Sequence, residues 1–325
     1  MRGVVLMIFV VLFSACGNEA CRGTVEPVPV MLEVQRLEPK LFSASSATEL
    51  NQVLFDYPDF AQFFLHADQY PDGVLADQMY RLFQNPSIDT LYQESLVAFA
   101  DFDALVNELE QALGRLKVYY PETRTPKVQT VVTGLYNDLF ITNEHIMIGM
   151  DFFIGEDASY KPKDIPNYIL RRYNVEHLPA NIMQFISSQY VKPSKGETML
   201  SEMIDYGKSL YLLSKILPCT PEHILIGYTE EEWDDSFEND AVIWASFVEN
   251  EILYETNHQM KQKFLGERPN VYEIGDKCPG RIGQWLGWQI VKSYVDNSRV
   301  SIQDLMAETD AGKIFTQSRY KPKGG

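Results

Sequence analysis

The stretch CPGRIGQWLGWQIVKSY, Cys278 to Tyr294, restricts the fold more than any other part of the chain. Its apolar pattern is helical, and Gly283 and Gly287 stand four residues apart, so both fall on one face. A glycine inside a helix costs about 1 kcal/mol against alanine. Two on one stripe imply that another element comes close enough to leave no room for a Cβ. Trp285, Leu286, Trp288 and Ile290 supply bulk on the other faces. Pro279 suits a first-turn position, where its missing N–H costs nothing. Arg281 then falls in the first turn, a cation against the helix dipole, which calls for a carboxylate partner. A cofactor loop fits less well. A dinucleotide fingerprint needs GxGxxG after a strand, and VYEIGDK is not one; the Gly-Lys-Ser/Thr of a phosphate loop is missing.

Helical spacing also runs through the rest of the chain. From Leu32 the pattern is helical with short interruptions, and Ala47 to Phe64 carries Leu50, Val53, Leu54, Phe60, Phe63 and Phe64 around a Tyr57-Pro58 break. Asp101 to Tyr119 puts Leu105, Leu109, Ala112, Leu113 and Leu116 on one stripe. The period then changes. KVQTVVT (Lys127 to Thr133) alternates, and LFITNEHIMIGMDFF (Leu139 to Phe153) offers two short strands about a turn at Asn143-Glu144. After Pro166 the helical pattern returns. The fold class is therefore α+β, predominantly helical, with a small central sheet of three strands.

Arg2, the apolar run Val4 to Phe13 and the small residues Ser14 and Ala15 lead directly to Cys16. The run is too short to span a bilayer, which takes about twenty residues, and it fits a signal peptide over 1–15. The small-small-Cys junction predicts lipidation of Cys16, whose acyl chains would hold the protein on a membrane. Residues 16–30 read as a tether and 31–325 as a single domain. Gly17 is not the aspartate associated with inner-membrane retention, which favours the outer membrane, with the domain facing the periplasm. A net charge of −17 argues against nucleic acid, since phosphate binding draws on clustered Lys and Arg. Export permits disulfides; Cys219 and Cys278, both at loop-to-helix corners, form the candidate pair, and Cys21 stays free.

Two polar groupings could carry chemistry. In TMLSEMIDYGKSLYLL (Thr198 to Leu213), Glu202, Asp205 and Lys208 lie at helical spacing, and Gly207 in mid-helix again calls for a close neighbour. Glu202 and Asp205 could act as acid and base; the plainer reading is a solvated face with Asp205 and Lys208 pairing weakly. Thr229 and Glu232 form a capping box before an acidic helix. That cluster lacks the alternating geometry of a calcium loop. His66, His145, His177, His223 and His258 stand singly, and no HExxH or GxSxG occurs. No metal site and no cofactor is expected.

The small-small-Cys junction, IGMDFFIG, MLSEMIDYGKSLYL, LIGYTEEEW, VIWASFVENEILYET, PGRIGQWLGWQIV and IFTQSRYKPK, in that order, resemble the gliding-motility lipoprotein GldB family of Bacteroidota. The resemblance implies an envelope lipoprotein associated with surface motility and a secretion apparatus. A fainter likeness is to a zinc-metallopeptidase scaffold of the gluzincin kind. There an HExxH helix and a glutamate before a glycine would hold zinc. Here the corresponding helix, IMQFISSQY, has neither His nor Glu, and Tyr206 stands in the glutamate position before Gly207. The alternative fold is thus a degenerate zincin without metal.

The expected function is a non-catalytic, membrane-anchored lipoprotein that binds protein partners of the envelope. Its cleft is expected near the glycine-bearing helices, lined by Glu202, Asp205, Tyr206, Gly207, Lys208, Arg281, Gly283 and Trp285. The rivals are a peptidase-like hydrolase using Glu202 or Asp205 with a histidine, and a purely structural lipoprotein.

Overall fold

The computed structural model describes residues 25–322; Cys16, the segment before it and Cys21 lie outside the described residues. The mainly helical α+β class is as expected, but the sheet has four strands rather than three. They are β1 (Val34–Arg36), β2 (Lys127–Val131), β3 (Leu139–Ile141) and β4 (His145–Gly149), in the order β1-β2-β4-β3. β1 and β4 run parallel to β2, with Val34 opposite Val128 and Val128 opposite Ile146. β3 and β4 form the expected antiparallel hairpin, its turn held by the Thr142 hydroxyl, which accepts from the amides of Glu144 and His145. β1 carries no alternation of its own. Its pairing with β2 makes it a strand, which is why a helical reading of this region missed it.

Both faces of the sheet are covered, and Ile146, Met147 and Ile148 of the inner strand β4 are accordingly all buried. Val131 and Met147 face an N-terminal layer built on Leu37, Leu50, Phe60 and Phe64. This layer holds α1 (Glu38–Phe42), α2 (Ala47–Asp56), a π-helical turn (Phe60–Phe64) after the Tyr57-Pro58 break, and α3 (Val74–Phe83). Val128, Ile146 and Ile148 face the main core. There α4 (Pro86–Ala98) and α5 (Phe102–Tyr119) precede β2 in the chain. Asp101 caps α5 by accepting from the Ala104 amide, and the predicted leucine stripe is buried.

The helical body follows, as α6 (Asn167–Leu170), α7 (Leu178–Ser188), α8 (Met199–Ile216), α9 (Glu222–Ile226), α10 (Glu230–Glu238), α11 (Asp240–Glu249), α12 (His258–Leu265), α13 (Ile282–Ser298), α14 (Ile302–Ala307) and α15 (Ala311–Ser318). Thr198 caps α8, and Thr229 and Glu232 form the predicted capping box on α10. None of the described helices is long and apolar enough to cross a membrane.

Two expectations about the opening stretch change. α13 begins at Ile282, so Pro279 and Arg281 precede the helix and Arg281 is its N-cap, in the left-handed region at φ 60°. The local hydrogen bonds explain the displacement. The Arg281 amide donates to Gly266 O at 3.2 Å, and the Tyr228 hydroxyl donates to Gly280 O at 2.8 Å, which ties this strip to the residue after α12 and to the link between α9 and α10. The Cys219–Cys278 pairing is also corrected: no disulfide joins them, because Cys219 is exposed beyond α8 whereas Cys278 is buried in the loop before α13.

Candidate functional site

α8 is packed on two sides, and the two differ. Against α13 the backbones touch. A Cβ on Gly207 would run into the Gly287 carbonyl, and one on Gly287 into the Met203 carbonyl. Gly283 faces α12, where its Cβ would lie 2.9 Å from a Leu265 methyl. Trp285 and Trp288 are wholly buried beside this crossing. Gly207, Gly283 and Trp285 therefore belong to the core and line no cleft, because close backbone approach leaves no space there.

On the α7 side the helices part. Gln184 and Ser188 of α7, Val191 and Pro193 of the connecting segment, and Glu202, Asp205, Tyr206 and Ser209 of α8 line an open groove of about 360 Å³. Three of the predicted residues, Glu202, Asp205 and Tyr206, are thus brought together. The other five lining residues went unread in the sequence. Gln184 and Ser188, one helical turn apart in an apolar helix, were the available signal.

Beneath the groove lies a lock. The Lys208 ammonium is fully buried and donates to Lys192 O (2.9 Å) and Glu308 O (3.0 Å) while pairing with Asp205 at 2.9 Å. Asp205 also accepts from the Ser194 amide (2.8 Å) and hydroxyl (2.6 Å). The weak, solvated pair expected here is instead a closed network joining α8 to the segment before it and to the end of α14. Glu202 is held in a second pair, with Lys261, whose ammonium also donates to Glu197 O at 2.6 Å. Both carboxylates have lysine counter-ions, so neither presents the loosely held oxygens of a general base.

Other polar atoms lie around the groove. Gln184 donates to the Ser209 hydroxyl at 3.0 Å, but its carbonyl oxygen is buried without a partner. Tyr206 is 38% exposed, and burial of the rest of its ring, then the Glu202 charge, raises its phenol, with Arg281 opposing. Across the groove, the two helices likened to a peptidase scaffold thus present an amide, a hydroxyl and a phenol at Gln184, Ser188 and Tyr206. Among the described residues no three His, Cys, Asp or Glu side chains are grouped to hold a metal ion.

Arg281 sits outside the groove lining. Its guanidinium donates to Gly227 O at 3.1 Å and meets Glu267 at 3.4 Å, which supplies the carboxylate its position called for; Arg172 shares Glu267 at 2.9 Å. Burial, then Arg172, lowers Arg281 to about 10. Nearby His177 is lowered to about 4 by burial, then by Arg172, His223 and Arg171, and its Nδ1 lies 2.9 Å from Asn174 Oδ1. His145 lies 3.7 Å from Asp59, in the sheet region. The groove lining contains no histidine.

Comparison with known proteins gives one match to a family model, described as gliding motility protein GldB, over residues 18–322. No curated protein matches the chain. No solved structure matches it either.

Proposed function

The chain belongs to the GldB family of gliding-motility lipoproteins, and from that premise we propose that it acts in the cell envelope without catalysing a reaction. It binds a protein partner of the motility or secretion apparatus through the α7/α8 groove. The lipid on Cys16 anchors it, to the outer membrane in preference to the inner, with the domain in the periplasm.

The observation that carries this reading is the chemistry of the groove. Its carboxylates are neutralised by Lys208 and Lys261, its lining has no histidine, and its exposed polar groups include the neutral Ser188 hydroxyl and Tyr206 phenol. Such a surface suits an apolar side chain resting on Val191 and Pro193, with a peptide N–H donated to the Ser188 or Tyr206 oxygen. It gives a hydrolase no evident acid–base couple.

A photo-crosslinking residue at Tyr206 in the native envelope tests the proposal, with Val97, 78% exposed on α4, as control. The expected result is an envelope protein captured at position 206, absent at position 97 and lost when Val191→Glu is added. Capture that is equal at both positions, or unaffected by Val191→Glu, would remove the groove from the account. Peptide hydrolysis abolished by Glu202→Gln would replace binding with catalysis.

A further inference from the structure

Asp151 lies just after β4, in a single 3₁₀ turn, and is 1% exposed. The chain bends against it through Gly134 and Leu135, both left-handed at φ 74° and 64°. Backbone amides consequently converge on Oδ2, Leu135 N at 2.6 Å and Thr133 N at 3.3 Å, with the Gly134 amide and Asp151's own also supporting the carboxylate. Oδ1 is buried and has no partner. Buried polar atoms are nearly always hydrogen-bonded, so an orphaned carboxylate oxygen asks for a missing donor.

A cavity of about 340 Å³ borders Asp151, at the lower end of the roughly 300–1,000 Å³ range of ligand pockets. Its aromatic lining comes from Phe152, Tyr160 and Tyr173. The charges around it favour a cation. Glu156 and Asp157 are exposed at the rim, opposed by exposed Lys161; the other cation, Arg171, is already paired with Glu232. A single water would satisfy Oδ1 but leave most of this volume unfilled. Aromatic side chains beside a fixed carboxylate are an environment that attracts ammonium and guanidinium groups.

We propose that this cavity binds the head of an organic cation, an ammonium or guanidinium carried by a peptide side chain or by a small amine, with Asp151 as counter-ion. The site uses none of the α7/α8 groove residues, so it stands or falls apart from the proposed partner groove. Burial pushes the Asp151 carboxyl up to about 6, and a bound cation would favour its ionised form.

Calorimetric titration of the full-length chain in detergent, at pH 8, tests the site. The probes are N-acetyl-arginine methylamide, N-acetyl-lysine methylamide and butylamine, with N-acetyl-norleucine methylamide as the uncharged control. Saturable binding of at least one cationic probe, and not of the norleucine probe, is expected. Butylamine binding alone would identify a small amine as the source, and binding of a blocked amino acid would identify a side chain. Asp151→Asn should weaken binding by about tenfold or more. If that variant does not fold, Tyr160→Ala, at an exposed position, should still weaken it roughly threefold. No binding by any cationic probe, equal binding of the norleucine probe, or binding unchanged in the folded variants would overturn the proposal.

Discussion

The two sides of α8 teach opposite lessons about reading a helix. Toward α13 the contact is backbone on backbone, and the glycines at 207 and 287 report it directly. Toward α7 the contact opens into a groove, and its acidic residues report little until their lysine partners are known. A missing Cβ in a helix has few explanations. A carboxylate has many.

The strongest way to break this contrast is to force the dry side open. Gly287→Leu should cost about 3 kcal/mol or more, since the opposing atom is a carbonyl of the α8 backbone and cannot swing aside. Circular dichroism melts should show no cooperative folded state, whereas Tyr206→Ala on the groove side should melt close to the parent. A parent-like melt for Gly287→Leu would mean that the helices do not touch there.

Lys208→Met removes the lock beneath the groove and leaves two carbonyls and Asp205 short of a donor. The expected loss is about 3 kcal/mol, as for breaking a buried pair. Urea unfolding measures it, and a change below about 1 kcal/mol would return the pair to the surface class.

The lock is a buried charge with every partner in place; buried Asp151 and half-buried His177 are pushed toward neutrality. Asp151 is raised from 3.8 to about 6, so the folded state binds the proton more tightly and Asp151 favours folding on acidification between those values. His177 is lowered from 6.5 to about 4, so its contribution is present above pH 6.5 and is lost as pH falls toward 4. The two oppose each other across that window, by roughly 2–3 kcal/mol for Asp151 and by less for His177, whose partial exposure screens it. Asp151→Asn should therefore make stability fall more steeply than in the parent between pH 6 and 4, measured by urea unfolding at each pH. Parallel curves would contradict the assignment.

The smallest effect belongs to Glu202→Gln. Glu202 is about a third exposed, so loss of its Lys261 pair should cost less than about 1 kcal/mol in the same titration. A loss as large as that of Lys208→Met would mean that the two carboxylates share one network.

Much of the architecture was legible where local spacing decides it. The stripe of α5, the Thr229–Glu232 box and the β3–β4 hairpin depend on residues a few positions apart. What distant segments decide was not. Lys208 looked solvated because the carbonyls that bury it come from residues 16 and 100 positions away. Trp285 looked available because its helix could be recognised before its neighbours were. Half of the groove comes from α7 and the segment after it, which only tertiary packing places beside Glu202 and Tyr206.

The short strand β1 has a consequence for the order of assembly. Its partner lies far along the chain: Gln35 meets Gln129 across 94 positions. In synthesis from the N-terminus, β1 must wait until α1 through α5 and β2 have emerged. Closing a loop of that length carries an entropic cost that grows with the logarithm of its size and is met before the strand's few hydrogen bonds form. The earliest strand made is thus among the last secured. The segment that leads into it waits as well, for α5: the Leu32 amide donates to Glu110 at 2.8 Å and the Val28 amide to Gly114 O at 3.3 Å.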